Sequence, residues 1–227
     1  MSEPAASPAG PRPRRILLLI GAVASGKGTQ AEALSAHLEV PHLASGDLFR
    51  AALRDGTPVG ERAKTYMDHG ELVPDDITID MFMEELGKPQ ASRGAILDGF
   101  PRTVAQAEAL DQTLAGRGEK INGAIYIEVP GEELVTRVAG RSVCPTDGTV
   151  YHDVSDPPSI PGICDRDGTP LVKRDDDRPE VVRERLANQV PPMLEVVEHY
   201  EDAGVLHRIN GLQSIDAVTS EIKAALG

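Results

Sequence analysis

The stretch Ile16-Leu17-Leu18-Leu19-Ile20-Gly21-Ala22-Val23-Ala24-Ser25-Gly26-Lys27-Gly28-Thr29-Gln30 decides the fold. Its five leading apolar residues carry no charge and predict a short strand buried on both faces, as in a parallel sheet. A glycine-rich loop follows, and then a helical pattern with Ala31, Leu34 and Leu38 on one face. A strand, a glycine-rich loop and a helix in this order are typical of a phosphate cradle, in which backbone N–H groups point inward and Lys27 adds a mobile cation.

The loop differs by one position from the common phosphate-binding pattern G-x-x-x-x-G-K-[ST]. Gly28 follows Lys27, and the hydroxyl comes one place later, at Thr29. An ordinary glycine-containing turn is the alternative interpretation. The strand before the loop and the helix after it favour the phosphate-binding interpretation, because the motif requires that context.

The charge balance restricts the classes of partner. The 227 residues include 23 Lys plus Arg against 36 Asp plus Glu, which gives a formal net charge of −13. Surfaces that bind nucleic acid or anionic membranes are basic, so neither partner is expected. Two cysteines are too few for a disulfide framework, which favours a reducing cytoplasm. No purely apolar run approaches the length of a membrane-spanning helix.

Residues 1–15 are rich in Pro, Ala and Arg and predict a disordered, solvated tail. They lack the apolar segment of a secretory signal. A transit peptide is the alternative, but Glu3 and the prolines oppose the amphipathic helix that such a peptide needs.

After the first helix, short apolar segments alternate with helical patterns. Strands are predicted at residues 40–44, 95–97, 124–129 and 205–209. Helices are predicted from 45–50 up to a break at 56–58, and at 59–69, 77–86, 104–114, 132–139, 181–200 and 215–226. A break in the helix is expected at Pro191-Pro192. The alternation predicts an α/β fold with a doubly wound, five-stranded parallel sheet.

Residues 140–177 are dense in Gly, Pro and Asp and show no helical periodicity. A loop of this length within a compact domain is expected to be a functional insertion or disordered. Ligands of doubly wound sheets bind beyond the carboxyl ends of the strands. Four parts of the sequence are predicted to lie at this edge of the sheet: residues 26–27, 45–47 and 98–102 and the segment after 129. They indicate one shared cleft.

Several short sequence motifs are distributed between residue 16 and the C-terminus. They lie at residues 26–30, 45–50, 72–75, 97–103, 138–141, 150–152 and 174–185. The sequence Leu97-Asp98-Gly99-Phe100-Pro101-Arg102-Thr103 is the most specific of them. Taken together, these residues resemble adenylate kinases of the long-lid bacterial type, within the nucleoside monophosphate kinase family. The resemblance implies a P-loop NTPase-like core over residues 16–227, with an AMP-binding insertion at 44–73 and a lid at 140–177.

The resemblance also implies the reaction, the reversible conversion of Mg-ATP and AMP into two ADP, and the residues of the site. The implied ATP site comprises Ala24, Ser25, Gly26, Lys27, Gly28, Thr29, Arg141, Val150, Tyr151 and, through its backbone, Gln213. The implied AMP site comprises Ser45, Arg50, Glu71, Leu72, Val73, Gly99, Phe100, Pro101, Arg102, Gln106, Arg174 and Arg185. The implied catalytic cations are Lys27, Arg102, Arg137, Arg141, Arg174 and Arg185.

These residue types suit phosphoryl transfer, which requires alignment of two anions and neutralisation of their charge. Arginine pairs two phosphate oxygens and keeps its charge. Asp47 and Asp98 are expected to hold water molecules around Mg²⁺. Gln106 is expected to read the adenine edge by hydrogen bonds.

Each assignment has a structural alternative. A surface arginine is often a solvated charge, Asp98 is a possible helix cap, and Gln106 is a possible surface amide. Asp75 and Asp76 are themselves expected to be helix caps. The histidines show no spacing that predicts a metal cluster, and no role is assigned to them.

The phosphate loop departs from the family pattern at two positions. Val23 stands where Pro is usual, and Ala24 where Gly is usual. Ala24 adopts a positive φ only at a cost, so the loop is strained if that position needs one. A nucleotide-binding protein without turnover is therefore an alternative function, although Lys27 and Asp98 are intact. A second alternative is a GTP-dependent AMP kinase.

The predicted lid contains Cys144-x-x-Asp147 and Cys164-x-x-Asp167. Two such pairs resemble the zinc-bearing lids of some bacterial relatives, in which most ligands are Cys. A tetrahedral site with two thiolates and two carboxylates is chemically feasible but weaker than one with four thiolates. The alternatives are a metal-free, hydrogen-bonded lid and a Cys144–Cys164 disulfide. The expected molecule is a cytoplasmic monomer that binds ATP, AMP and ADP.

Overall fold

The computed structural model describes residues 14–174 and 177–227. Its strands are β1 (Arg15–Ile20), β2 (His42–Ala44), β3 (Gly94–Asp98), β4 (Gly123–Glu128), β5 (Arg141–Val143), β6 (Val150–His152) and β7 (Leu206–Asn210). Its helices are α1 (Lys27–Leu38), α2 (Ser45–Arg54), α3 (Pro58–Asp68), α4 (Asp75–Gly87), α5 (Val104–Gly116), α6 (Gly131–Ala139), α7 (Pro179–Asp202) and α8 (Ile215–Leu226). A short 3-10 helix spans Pro89–Ala91.

Five strands form the main sheet, in the order β2-β3-β1-β4-β7, and every neighbouring pair is parallel. The strand β1 lies at the centre, where Leu17 is paired with Ile96 on one side and Gly123 on the other. The predicted doubly wound, five-stranded parallel sheet is confirmed. Because the strands are parallel, their carboxyl ends meet at one edge.

The apolar run of β1 is buried on both faces of this sheet. Ile16, Leu18 and Ile20 pack in a core cluster with residues of α4, α5 and α7. Leu17 and Leu19 belong to a second cluster, which is formed with residues of α1 and α8. Helices on both faces therefore explain why consecutive residues of β1 are all apolar.

Helices α2 and α3 form a small unit at the end of β2. Gly60 allows their close approach, since a Cβ atom there would lie 2.2 Å from the backbone nitrogen of Leu53. Phe49, Ala63 and Val73 bury a separate core cluster with Ile77. This part of the chain thus has its own packing beside the main sheet.

The helix α7 is continuous across Pro191 and Pro192, so the predicted interruption is wrong. Each proline removes one backbone hydrogen bond. Buried side chains at Met193, Val196 and Tyr200 anchor the following turns, so packing offsets that loss. No helix in the described ranges is both long and apolar enough to cross a membrane.

The segment after α6 contains structure that periodicity did not predict. The strands β5 and β6 pair antiparallel, and Val143 also bridges to Val172. Cys144, Tyr151 and Cys164 bury a small core there. The strands are only three residues long, too short for a pattern in the sequence to reveal them.

The N-terminal boundary of the fold differs from the predicted one. Residues 1–13 of the predicted tail lie outside the described part of the chain. Arg15 already belongs to β1, and the guanidinium of Arg14 donates to the carbonyls of Leu86 and Ala91 and to the carboxylate of Glu119. The prediction of a disordered tail is therefore wrong for Arg14 and Arg15. Arg14 is held by three polar partners, and Arg15 is the first residue of a strand.

Substitution of Arg14 by alanine is expected to lower the free energy of unfolding by about 1–3 kcal/mol, since it removes several charge-assisted hydrogen bonds. Urea denaturation measures the change. Arg93→Ala is the control, because Arg93 pairs with Glu39 on an exposed surface and such pairs contribute about 0–1 kcal/mol. Equal losses in the two variants would contradict an anchoring role for Arg14.

Candidate active site

The predicted phosphate loop connects β1 to α1. Gly26 precedes the helix with a φ of 99°, and Lys27 is its first residue. The ammonium of Lys27 donates to the carbonyl of Ala22 at 2.8 Å, so the side chain lies over the loop. The buried hydroxyl of Ser25 has no hydrogen-bond partner among the described residues. Residues 24–29, all predicted for the ATP site, form this loop and the first turn of α1.

The backbone of Ala24 has a φ of 59°, in the left-handed region. A residue with a side chain adopts this conformation at a cost of about 1–2 kcal/mol. The sequence left open whether position 24 needs a positive φ. It does, so the phosphate loop is strained at Ala24.

Asp98 lies at the carboxyl end of β3, close to the loop. Its carboxylate contacts the ring nitrogen Nε2 of His42 at 3.3 Å. Burial acts to raise the pKa of Asp98, but this contact and the charges of Lys27 and Arg102 hold the pKa below its usual value. The carboxylate is therefore ionised at neutral pH, next to the cation of the loop.

Lys27 is also strongly affected by its surroundings. Burial lowers its pKa from 10.5 to about 8, and the negative charge of Asp98 opposes this change. The positive charges of Arg102, Arg185 and Arg141 contribute to this lowering of the pKa. The charges of these three arginines therefore reach the ammonium of Lys27.

Arg102 is held by three hydrogen bonds. It donates to the carbonyl of Gly99 at 2.7 Å, to Oε1 of Gln189 at 2.8 Å and to the hydroxyl of Ser45 at 3.2 Å. Burial, followed by the charge of Arg185, lowers the pKa of Arg102 from 12.5 to about 10, so it remains protonated at neutral pH.

A cleft lies between α2–α3, α5 and α7. Nine of the twelve residues predicted for the AMP site line it: Ser45, Arg50, Glu71, Leu72, Val73, Gly99, Arg102, Gln106 and Arg185. The ring of Phe100 is instead buried against Phe82, with ring centroids 4.3 Å apart. Pro101 is buried, and Arg174 lies at the end of the segment after β6.

Gln106 is buried rather than on the surface, with 1% of its area exposed. Its Oε1 accepts from the backbone N–H of Arg102 at 2.8 Å, and its Nε2 donates to Asp75 at 2.7 Å. The hydroxyl of Thr103 donates to the same carboxylate at 3.1 Å. Asp75 is the first residue of α4 and makes these contacts toward α5, so its predicted role as a cap is wrong.

The other predicted arginines have protein partners. Arg141 and Asp177 form a largely buried bidentate pair, with Nε and Oδ2 2.8 Å apart. Arg137 donates to Glu133 and to the carbonyl of Gly211, both at 2.9 Å. In the described structure Arg141 acts on Lys27, whereas Arg137 is turned toward its own helix and the loop after β7.

Four further predicted residues lie at the margins of this site. The carboxylate of Asp47 is mostly exposed and accepts from Arg50 at 2.6 Å. Val150 is partly exposed at the start of β6, while the hydroxyl of Tyr151 is buried beside Cys164. Gln213 is exposed in the loop before α8.

Cys144, Cys164 and Asp167 form a cluster with their ligand atoms all within 4.8 Å of one another. Both carboxylate oxygens of Asp167 lie 3.6 Å from the sulfur of Cys144. Asp147, the fourth predicted ligand, instead accepts from the N–H and hydroxyl of Thr149, at 2.9 and 2.7 Å. Both cysteines are buried free thiols.

Sequence reasoning missed three residues of this site. His42 and Gln189 were assigned no role, and Asp75 was assigned the wrong one. Each acts by contacting a predicted residue that is distant along the chain, for example Gln189 and Arg102. No local motif marks such contacts, because the topology alone brings the partners together.

Comparisons with known proteins agree with this geometry. The sequence model of the family described as adenylate kinase matches residues 19–205. The chain is 46% identical over 211 residues to an adenylate kinase of Bacillus subtilis, covering 93% of this chain and 97% of the relative. It is 44% identical over 210 residues to one of Oceanobacillus iheyensis, covering 92% and 98%. An identity this high along nearly the whole length, with the cations of the predicted phosphate loop and cleft around one space, shows that the chain belongs to the adenylate kinase family.

Proposed function

We propose that this protein is an ATP:AMP phosphotransferase that interconverts Mg-ATP and AMP with two ADP. The observation that carries the proposal is the convergence of Lys27, Arg102, Arg141 and Arg185, whose charges act on Lys27. Four cations gathered beside a glycine-rich loop are suited to neutralising the phosphate groups of two nucleotides that meet end to end.

AMP is assigned to the cleft beside α2 and α3. Arg102 is already fixed by Ser45 and Gly99, so its remaining N–H groups are oriented before AMP binds. Arg50, Arg174 and Arg185 complete the proposed phosphate contacts, and Glu71, Leu72 and Val73 enclose the base. Phe100 and Pro101 are buried, so they contribute through the backbone.

ATP is assigned to residues 24–29, with the lid residues Arg141, Val150 and Tyr151 and the backbone of Gln213. Tyr151 is buried within the lid, so its contact is proposed through the main chain. Magnesium would be held through water by Asp98, whose buried carboxylate is ionised next to Lys27. Asp47 is the second proposed partner, once it is released from Arg50. The ion would neutralise charge on the ATP phosphates.

Residues 44–73 and 140–177 are proposed to be the AMP-binding insertion and the lid. A phosphoryl group exposed to water would be lost to hydrolysis. The lid is proposed to close over both nucleotides, bringing Arg137, Arg141 and Arg174 to the reacting phosphates and excluding water. No catalytic base is required, because a phosphate oxygen of AMP is already a nucleophile.

The test is a coupled assay for ADP formed from ATP and AMP, with Lys27→Ala as the inactive control. Turnover of wild-type protein that requires both nucleotides supports the proposal. Binding of ATP without ADP formation would show a nucleotide-binding protein instead. Replacement of ATP by GTP at fixed AMP tests the donor, and ATP is expected to be preferred.

The lid is proposed to hold a structural zinc ion on Cys144, Cys164 and Asp167, with Asp147 or water as the fourth ligand. A tetrahedral zinc with Zn–S of about 2.3 Å and Zn–O of about 2.1 Å requires S···O separations of about 3.6 Å. The distance between Cys144 and Asp167 has that value. Asp147 would have to leave Thr149 in order to bind.

Protein purified without chelator is expected to contain about one zinc per chain, measured by atomic emission. Cys164→Ser is expected to remove the zinc, whereas Asp147→Asn tests whether the fourth ligand is water. Wild-type protein that remains free of zinc after incubation with the ion would favour a metal-free, hydrogen-bonded lid. Loss of free thiols without reductant would indicate the disulfide.

A monomer in the cytoplasm is also proposed. The net charge of −13 keeps copies of the chain apart by repulsion, and both cysteines are free thiols, as expected in a reducing compartment. Light scattering at low and physiological salt tests the oligomeric state.

A further inference from the structure

The amide of Gln106 lies between two partners whose hydrogen-bonding character is fixed. The backbone N–H of Arg102 can only donate, and it meets Oε1 at 2.8 Å. The carboxylate of Asp75 can only accept, and it meets Nε2 at 2.7 Å. The orientation of a glutamine amide follows from its partners, and here both of them require the same one.

Thr103 reinforces the role of Asp75. Its hydroxyl accepts from the backbone N–H of Gln106 at 3.2 Å and donates to Asp75 Oδ2 at 3.1 Å. The two carboxylate oxygens thus accept from two different side chains. Asp75 is thereby held against the amide from α4, while α5 carries Gln106 and Thr103 lies just before its first turn.

Gln106 lines the cleft, whereas Asp75 does not. Beyond the contacts described, the amide keeps one N–H and one oxygen lone pair. In adenine, the acceptor N1 lies beside the donor N6 amino group, which matches this pair in the fixed orientation. In a 6-oxopurine such as hypoxanthine the pattern is reversed, with a donor at N1 and an acceptor at O6.

We infer that Asp75 is a positioning residue that locks the Gln106 amide in the orientation complementary to adenine and so excludes 6-oxopurine nucleotides. The inference rests on the proposed binding of AMP in this cleft. Rotation of the amide by 180° would suit hypoxanthine, but it would place Oε1 against the carboxylate of Asp75 and the amino group against the N–H of Arg102. Both contacts would become repulsive. The Gln106 amide is therefore held in one orientation and recognises only a base that accepts at N1 and donates at the 6-position.

IMP is the appropriate probe, because it differs from AMP only at the two groups that face the amide. The experiment measures kcat/KM for AMP and for IMP, with ATP as donor, in wild-type enzyme and in Asp75→Asn. An asparagine can present its own amino group to a rotated Gln106, so one of the two repulsive contacts disappears. The ratio of kcat/KM for AMP to that for IMP is expected to fall by roughly tenfold or more.

Two further variants serve as controls. Asp76→Asn removes a neighbouring exposed carboxylate from the same helix and is expected to leave the ratio unchanged. Asp75→Glu retains a group that can only accept and is expected to keep most of the selectivity. The ratio does not depend on the fraction of active protein, so partial unfolding of a variant does not imitate the effect.

An unchanged ratio in Asp75→Asn, with both substrates weakened equally, would overturn the inference and leave a structural role. Gln106→Ala separates this failure from failure of the proposed AMP site. If Gln106→Ala loses selectivity while Asp75→Asn keeps it, Asp75 does not orient the amide. If Gln106→Ala also keeps it, the base is not read in this cleft and both proposals fail.

Discussion

Arg102→Lys is expected to lower kcat/KM for AMP by on the order of 10²–10³-fold. The guanidinium of Arg102 donates from three different nitrogen atoms, to Gly99, Gln189 and Ser45. A lysine carries all of its donors on one nitrogen atom. It therefore cannot reach these three separated partners and also pair with two phosphate oxygens. The loss is therefore expected even though the formal charge of the side chain is retained.

The electrostatic surroundings add to this effect. They bring the pKa of Arg102 down from 12.5 to about 10. The unperturbed pKa of lysine is about two units below that of arginine, and the same burial and the same charge on Arg185 would lower it further. Part of the substituted protein would then lack the cation altogether. Activity of Arg102→Lys is accordingly expected to fall further as the pH rises from 7 to 9.

Gly99→Ala tests the same arrangement without changing the arginine. A Cβ atom at Gly99 would lie 2.5 Å from the hydroxyl of Ser45 and 2.7 Å from Nη2 of Arg102, and φ is 71°. Displacement of Arg102 is expected to raise KM for AMP more than KM for ATP. Arg93→Lys, on an exposed surface, is the control. Near-normal activity of both Arg102→Lys and Gly99→Ala would contradict a role for Arg102 in binding phosphate.

The sheet was predictable because its signal is local. Five consecutive apolar residues in β1 require cover on both faces, and the two core clusters supply it. The strands β5 and β6 gave no such signal, since they bury a core built around Cys144, Tyr151 and Cys164 rather than a periodic apolar face. The continuity of α7 at Pro191 was equally hidden, because packing against the main core outweighs the local preference of proline.

The candidate site was predictable where chemistry is written into a motif. Lys27 and Arg102 lie in such motifs and face one space. Asp75, His42 and Gln189 could not be found in this way, because each contributes by holding another residue through a tertiary contact. The sequence thus indicates the groups that would meet the ligand, and the structure adds those that orient them.

Binding of ATP is expected to weaken above pH 8 because Lys27 then loses its proton. Burial lowers the pKa of Lys27 from 10.5 to about 8 in the free protein. Below pH 8 the ammonium is charged and meets the phosphates directly. Above pH 8 binding must first restore the proton, so the dissociation constant of ATP is expected to rise by up to about tenfold per pH unit. Isothermal titration calorimetry in buffers of different ionisation enthalpy would measure the proton uptake.

The stability of the free protein is expected to change in the opposite direction. The unfolded chain holds the Lys27 proton up to about pH 10.5, whereas the folded chain releases it near pH 8. Because the unfolded state binds more protons between these values, the contribution of Lys27 to the free energy of unfolding rises with pH in that window. Lys27→Met is expected to remove both slopes and, by deleting the phosphate-binding cation, to lower kcat by on the order of 10²–10³-fold.

Lys27→Arg distinguishes this titration from other groups that change charge at alkaline pH. Arginine keeps its charge to a higher pH than lysine, so the affinity of Lys27→Arg for ATP is expected to fall much less between pH 8 and 9 than that of the wild type. If the variant and the wild type weakened in parallel, another group would be responsible, and the cation at position 27 would not be the one that titrates. Opposite slopes for binding and stability in wild-type protein alone would show that the same buried ammonium that costs stability in the free enzyme is the one that the phosphates of ATP stabilise.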